Sequence, residues 1–169
     1  MSLALSKLND LRALIAPRKR ESFTFTGFQN GIPRGAVTEI SGAHGCGKTK
    51  LVLQLIAENT RVHVAWVEDQ FTAYPCAFPQ LGVQLGRVLF AEAEDQALWT
   101  ANQMLRSGIF GIVVINTRKL EQIELRRLQL AAEQAHAAVI ILSEDPTIEG
   151  AWPITLQLQV NRGTPRRLK

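Results

Sequence analysis

The sequence predicts an α/β fold: a mainly parallel, twisted sheet with helices on both faces. Three observations carry this. From Gly35 onward, short runs dense in Val, Ile and Ala alternate with longer amphipathic runs, and near-continuous apolar strands are the kind buried on both faces. Strands that alternate with helices are joined by right-handed crossovers, which lay helices on each side of a parallel sheet. A glycine-rich turn, GAHGCGKT, joins the first of these strands to the first helix, at the strand end where ligands of such sheets bind.

The elements follow in order. AVTEIS (Ala36 to Ser41) reads as a strand, KTKLVLQLIAEN as a helix and VHVAWVE (Val62 to Glu68) as the next strand. The proline-bounded YPCAFPQLG is a short helix or loop. RVLFAEA is a strand, and EDQALWTANQMLRSG is a helix that Gly108 caps. GIVVIN (Gly111 to Asn116) is a strand. The long helix RKLEQIELRRLQLAAEQA shares one polar face among Gln122, Arg126, Gln129 and Glu133. AAVIILS is a strand. ITLQLQV alternates apolar residues with Gln157 and Gln159, which predicts a strand with one exposed face at the sheet edge. Ahead of all this, Leu3, Leu5, Leu8, Leu11, Leu14 and Ile15 recur at helical spacing. They predict an amphipathic helix that either packs on its own domain or docks on a partner. The expected organisation is residues 1–20 as this helix and a basic linker, 21–160 as the α/β domain, and 161–169 as a basic tail.

Composition excludes several classes. Hydrophobic residues make up 46% and charged residues 20% of the chain, a globular profile. No apolar run reaches the roughly 18 residues of a membrane span, and Lys7, Asp10 and Arg12 interrupt any leader-like core; a cytoplasmic protein with no membrane association is expected. Two cysteines, Cys46 and Cys76, and three scattered histidines suit neither a disulfide framework nor a His/Cys metal site. The net charge of +4 is concentrated at Arg18 to Arg20 and at Arg162, Arg166, Arg167 and Lys169. Such patches suit contact with nucleic acid, single-stranded DNA included, or with an acidic partner, or serve solubility.

Gly42-Ala43-His44-Gly45-Cys46-Gly47-Lys48-Thr49 matches G-x-x-x-x-G-K-[ST] at every fixed position, with a strand before it and a helix after. This is a phosphate-binding P-loop. Glycines let backbone N–H groups converge on anionic oxygens, and the helix N-terminus adds free N–H groups and a favourable dipole. Lys48 is expected to reach the β- and γ-phosphates, and the Thr49 hydroxyl to ligate Mg²⁺. The side chains of His44 and Cys46 are expected to point away, since the backbone does the binding. The loop is no dinucleotide fingerprint: its glycine spacings run in the wrong order.

The order of motifs resembles the RecA superfamily. GIPRG precedes the P-loop strand; VAWVE, YPCAFPQLGV, RVLFAEA and a helix ending in RSG lead to the strand IVVIN. The resemblance runs from about Gly31 to Val160. LRRLQLAAE (Leu125 to Glu133) before an apolar strand is similar to the ImuA group, small RecA-like proteins related also to the division inhibitor SulA.

The resemblance implies ATP and Mg²⁺ as ligands; no N-K-x-D guanine-reading motif is present. It also implies two carboxylates. One ends the strand Ile112 to Asn116, where this chain has Asn116, able to hold a metal-bound water but unable to supply charge. The other, a proton acceptor for water, is expected at Glu68, with Asp69 beside it; anchoring on Pro75 puts Gln70 in that place instead and leaves Glu68 in support of the metal shell. Tyr74 is expected to pack rather than stack on a base. The segments after Asn116 and Ser143 are short, so strand exchange on DNA is not expected.

The function implied is that of an ATP-binding accessory of the SOS-type damage response. It would act in translesion mutagenesis beside DNA repair and translesion polymerase proteins, with weak or no hydrolysis and with nucleotide at a homo- or hetero-oligomer interface. The alternatives are a working DNA-dependent ATPase of minimal RecA or RadA type, and a SulA-like division-inhibitor protein, against which the intact Lys48 and Thr49 argue.

Overall fold

The computed structural model describes residues 21–118, 120–147 and 153–169. The expected N-terminal helix and basic linker lie outside the described residues. A two-stranded antiparallel ribbon, β1 (Ser22–Phe25) and β2 (Phe28–Pro33), opens the described chain. Then come β3 (Ala36–Ser41), α1 (Lys48–Glu58), β4 (His63–Glu68), the single turn α2 (Ala77–Gln80), β5 (Val88–Glu92) and α3 (Ala97–Arg106). Next are β6 (Phe110–Asn116), α4 (Gln122–Ala135), β7 (Ala138–Ser143), β8 (Leu156–Asn161) and β9 (Thr164–Arg167).

The seven-stranded sheet runs β5-β4-β6-β7-β3-β8-β9. Every pairing from β5 to β8 is parallel, and β8 with β9 is antiparallel. The strands alternate their side chains between two cores. On one face Ile40, Trp66, Val114 and Ile140 meet Leu51, Val52 and Ile56 of α1 and Phe23 and Phe25 of the ribbon. On the other, Ala65, Val67, Val113, Ile115 and Ile141 meet Leu98, Ala101 and Leu105 of α3 and Leu125, Leu128 and Ala132 of α4. The expected α/β architecture with a mainly parallel sheet and helices on both faces is present.

Five expectations need correction. The ITLQLQV strand is not the edge: Arg162 and Gly163, at φ 47° and 79°, turn the chain back, and β9, lying in the expected tail, takes the outer position. A two-residue turn with both φ positive matches the twist of a hairpin. Nor do both glutamines of that strand face solvent. Gln157 is buried because its Nε2 donates to the buried Glu39 carboxylate at 2.9 Å. Glu39 also accepts from Ser143 Oγ at 2.9 Å and Thr147 Oγ1 at 2.8 Å, so this polar knot inside the sheet is paired rather than orphaned.

Gln129 likewise leaves the polar face expected for α4. It is buried; its Oε1 accepts from Val37 N–H at 3.2 Å and its Nε2 donates to Gly35 O at 3.3 Å. The start of β3 has backbone groups to satisfy, and a glutamine one helix away does it. The helix itself starts at Gln122, later than expected. Finally, Tyr74 does not pack: it is 68% exposed.

Candidate functional site

β3, β4, β6 and β7 end level with one another. Ser41 pairs with Ser143, Asn116 with Leu142, and Glu68 with Asn116. Parallel strands in register therefore deliver the residues that follow them to one rim. There they line an open cavity of about 880 Å³ that includes His44, Lys48, Thr49, Glu68, Asp69, Asn116 and Tyr74, a size that suits a small-molecule ligand.

One wall is the loop from Gly42 to Thr49. Gly42 N–H donates to the carbonyls of Ser143 and Glu144, at 3.2 and 3.1 Å, which ties the loop to the end of β7. A Cβ on Gly42 would sit 2.6 Å from both Cys46 Sγ and Val160 O, so only glycine fits. Gly47 caps α1 at φ 99°. No side chain caps that helix end, and its first turn carries no acidic residue. Its leading N–H groups thus remain available to an anion, aided by the helix dipole. Lys48 Nζ donates to Gly42 O at 2.6 Å, so the ammonium folds over the loop it would serve. Ala43, His44 and Gly45 are exposed. The His44 side chain points outward, its Nδ1 4.0 Å from Glu144 Oε1. Cys46 is half-buried beneath the loop.

The opposite wall is the end of β4 and β6. Glu68 is 1% exposed, and its carboxylate accepts five hydrogen bonds. Oε1 takes Trp66 Nε1–H at 2.9 Å and Asn116 Nδ2–H at 3.3 Å; Oε2 takes Thr72 N–H, Thr72 Oγ1–H at 3.2 Å and Ala73 N–H at 3.0 Å. Asn116 also donates to Thr72 Oγ1 at 3.4 Å. Its amide N–H₂ is therefore turned toward the glutamate, and its Oδ1 stays outside these bonds. Asp69 is held differently. Its Oδ2 accepts from Thr117 Oγ1 at 2.8 Å and Arg118 N–H at 3.2 Å, while Oδ1 is buried with no hydrogen-bond partner. Gln70 is exposed at the same rim.

The structure thus brings together Lys48, Thr49, Glu68 and Asn116, which the sequence reading singles out separately. It also adds partners that reading lacks. Trp66 and Thr72 hold Glu68, and the β8–β9 turn supports the loop, with Gly163 N–H donating to Cys46 O at 2.7 Å. The Trp66 and Thr72 contacts are near in the chain but depend on how the chain turns after β4, whereas the Gly163 contact joins residues far apart in the chain.

The family model for the RecA N-terminal domain matches residues 23–121. The chain belongs to the RecA N-terminal domain family. That match spans the ribbon, the P-loop and the β4 to β6 rim. Among its relatives are the proteins named RecA of Bordetella avium, 37% identical over 91 residues (52% of this chain and 26% of the relative), and of Fusobacterium nucleatum, 34% identical over 91 residues (52% and 24%). The RecA protein of Ruminococcus albus is 31% identical over 121 residues (68% and 30%). The aligned part thus spans less than a third of these relatives' own length. Membership accounts for the parallel sheet and the placing of the P-loop. Among the described residues, no helix is long and apolar enough to cross a membrane, and no three His, Cys, Asp or Glu side chains converge as a metal cluster.

Proposed function

We propose that this domain binds ATP with Mg²⁺ through Gly42 to Thr49 and acts in DNA repair as a nucleotide-controlled docking protein, with slow or no hydrolysis. The observation that carries the reading is the pairing of a complete P-loop with an opposite wall poorly suited to activating water. Backbone N–H groups of Ala43 to Gly47 and the open α1 N-terminus would hold the phosphates. Lys48 would exchange its bond to Gly42 O for the phosphates, and Thr49 would take the cation. Magnesium, when bound, neutralises charge between the phosphates. Glu68, engaged by five donors, supports a holding role over that of a proton acceptor, and Asn116 adds no charge.

Such a protein works by differential affinity: ATP shifts it toward whichever state binds ATP better. The LRRLQLAAE stretch supports placing it in the ImuA group, with translesion polymerase proteins as partners in the SOS-type response and a cytoplasmic setting. The exposed apolar side chains of α3 and α4, Trp99, Ile123 and Leu130, support docking on such partners or on further copies of the chain. The division into residues 1–20, 21–160 and 161–169 is part of the same proposal, modified by β9.

The test is ATP binding and turnover on the wild type and Lys48→Ala, with and without single-stranded DNA. Binding that Lys48→Ala weakens by tenfold or more, with turnover at background, is the expected result. Turnover stimulated by DNA and lost in Lys48→Ala would make the protein a working ATPase and overturn the docking reading.

A further inference from the structure

The sheet ends at β9 on a free edge, and that edge is basic. From Pro153 to Lys169 the chain carries Arg162, Arg166, Arg167 and Lys169 and no Asp or Glu. Lys169 is engaged, its Nζ donating to Ile154 O at 2.8 Å. The three arginines are exposed, and among the described residues none of them is in an ion pair. Register sets where they stand. Arg166 is opposite Gln159 and Arg167 opposite Leu158, so their side chains leave the strand on opposite faces, and Arg162 holds the turn at the tip. Gln159, Asn161 and Thr164, also exposed, add amide and hydroxyl groups on the face of Arg166.

Clustered cations with no carboxylate among them present a positive field to an anion. The shape of the edge selects which anion. Pro165 has no N–H, and with the charges it keeps the edge from pairing with another β-strand, so side chains rather than backbone are what β9 offers. From Thr164 to Arg167 the strand covers about 10 Å, short of the roughly 12 Å across the major groove of a duplex. The cations therefore follow one backbone instead of bridging two. Guanidinium, amide and hydroxyl groups are the side-chain donors that phosphate and sugar oxygens accept. A nucleic acid repeats its anion at every nucleotide, which suits a line of cations; the carboxylates of a protein come at no fixed spacing. β8 and β9 hold no aromatic residue, so bases have nothing to stack on there and the contact is to backbone alone.

We propose that the β9 edge and the β8–β9 turn hold the sugar–phosphate backbone of a single-stranded nucleic acid through Arg162, Arg166 and Arg167, without regard to base sequence. The contact goes beyond the nucleotide-binding reading and does not depend on it: none of the three arginines lines the cavity of Lys48 and Thr49.

Fluorescence anisotropy of a labelled oligo-dT strand, titrated with the full chain in the absence of nucleotide, tests this. Three phosphate contacts on a single strand give a slope of log affinity against log salt of about −2, which is a loss of about twentyfold between roughly 50 and 200 mM salt. Arg162→Ala, Arg166→Ala and Arg167→Ala together should weaken binding about tenfold or more at the lower salt and bring the slope close to zero. The unfolding temperature should hold, since the three side chains are exposed and outside any ion pair. Each single substitution should reduce the slope by about 0.7, and the singles carry the test should the triple variant fail to fold. A duplex of the same length and polyglutamate should both compete more weakly than the unlabelled strand. Triple-variant binding within about twofold of wild type would place the contact elsewhere, for example at the Arg18 to Arg20 run, and overturn the proposal. Competition by duplex or by polyglutamate as strong as by the single strand would overturn it too, and so would an absence of binding at the lower salt. Because the assay contains no nucleotide, its failure leaves the ATP reading intact, and failure of ATP binding leaves this proposal intact.

Discussion

Glu68→Gln separates a structural acceptor from a proton acceptor, because the two side chains are nearly the same shape. The cost follows from the donors around the carboxylate. The new amide N–H₂ cannot face Thr72 and Ala73, whose backbone N–H groups and hydroxyl all point at Oε2. It must take the Oε1 side, where Asn116 can turn its own amide to accept. Trp66 Nε1–H, donating to Oε1 at 2.9 Å from a side chain 1% exposed, then has no acceptor. An unpaired buried donor costs about 1–3 kcal/mol, and each of the three bonds at Oε2 loses its charge assistance, about 0.5–1 kcal/mol apiece. The expected destabilisation is about 3–6 kcal/mol. At about 3 °C per kcal/mol for a chain of this size, the melting temperature falls roughly 10–20 °C. Thermal and urea unfolding measure it. Trp66→Phe in the same background should recover about 1–2 kcal/mol relative to additivity, since it removes the stranded donor. Stability within about 0.5 kcal/mol of wild type, together with a turnover loss of about a hundredfold, would refute the reasoning and return Glu68 to the role of base.

Gly47→Ala places a β-carbon at φ 99° and 3.1 Å from Gly163 Cα; a cost of about 1–3 kcal/mol is expected, seen by calorimetry, with nucleotide affinity reduced at least tenfold. Arg87 is 8% exposed, and burial holds its guanidinium below the usual arginine range; it donates to Asn59 O and Val62 O at 3.0 Å and to Ile56 O, closing the C-terminal end of α1. Arg87→Met strands those carbonyls and should cost about 2–4 kcal/mol in urea unfolding, the desolvation of the cation offsetting part of the lost bonding; a change under 1 kcal/mol would show that water satisfies them. Tyr74→Ala removes a ring 68% exposed at the cavity mouth, so stability should stay within about 0.5 kcal/mol, while adenine nucleotide affinity, read by calorimetric titration, drops about threefold to tenfold if the ring covers the base.

Local pattern settles whatever depends on near neighbours in the chain. The apolar runs Ala65 to Val67 and Ile112 to Ile115 have to be strands buried on both faces, and their alternation with Leu51 to Ile56 and Leu125 to Ala132 leaves a parallel α/β sheet as the outcome. The P-loop is similarly local: eight consecutive residues carry its glycines, its lysine and its threonine. Alternation misleads where a polar side chain pairs inside the fold. Gln157 looks like a solvent-facing residue until Glu39, 118 residues away, is found beside it, and Gln129 until the start of β3 is found to need it. β9 escapes notice because TPRR carries no apolar period; it is a strand because a two-residue turn returns it to β8.

The sequence by itself determined the fold class, the glycine-rich loop that follows the first central strand and Asn116 at the close of β6, since each is written in contiguous residues or a short period. Only the tertiary structure decided which carboxylate is filled with donors and which keeps an oxygen unpaired. Glu68 and Asp69 are adjacent and chemically alike, and a strand points consecutive side chains to opposite sides. One therefore meets Trp66 and Thr72 and is filled with donors. The other meets the end of β6 and keeps one buried oxygen without a partner.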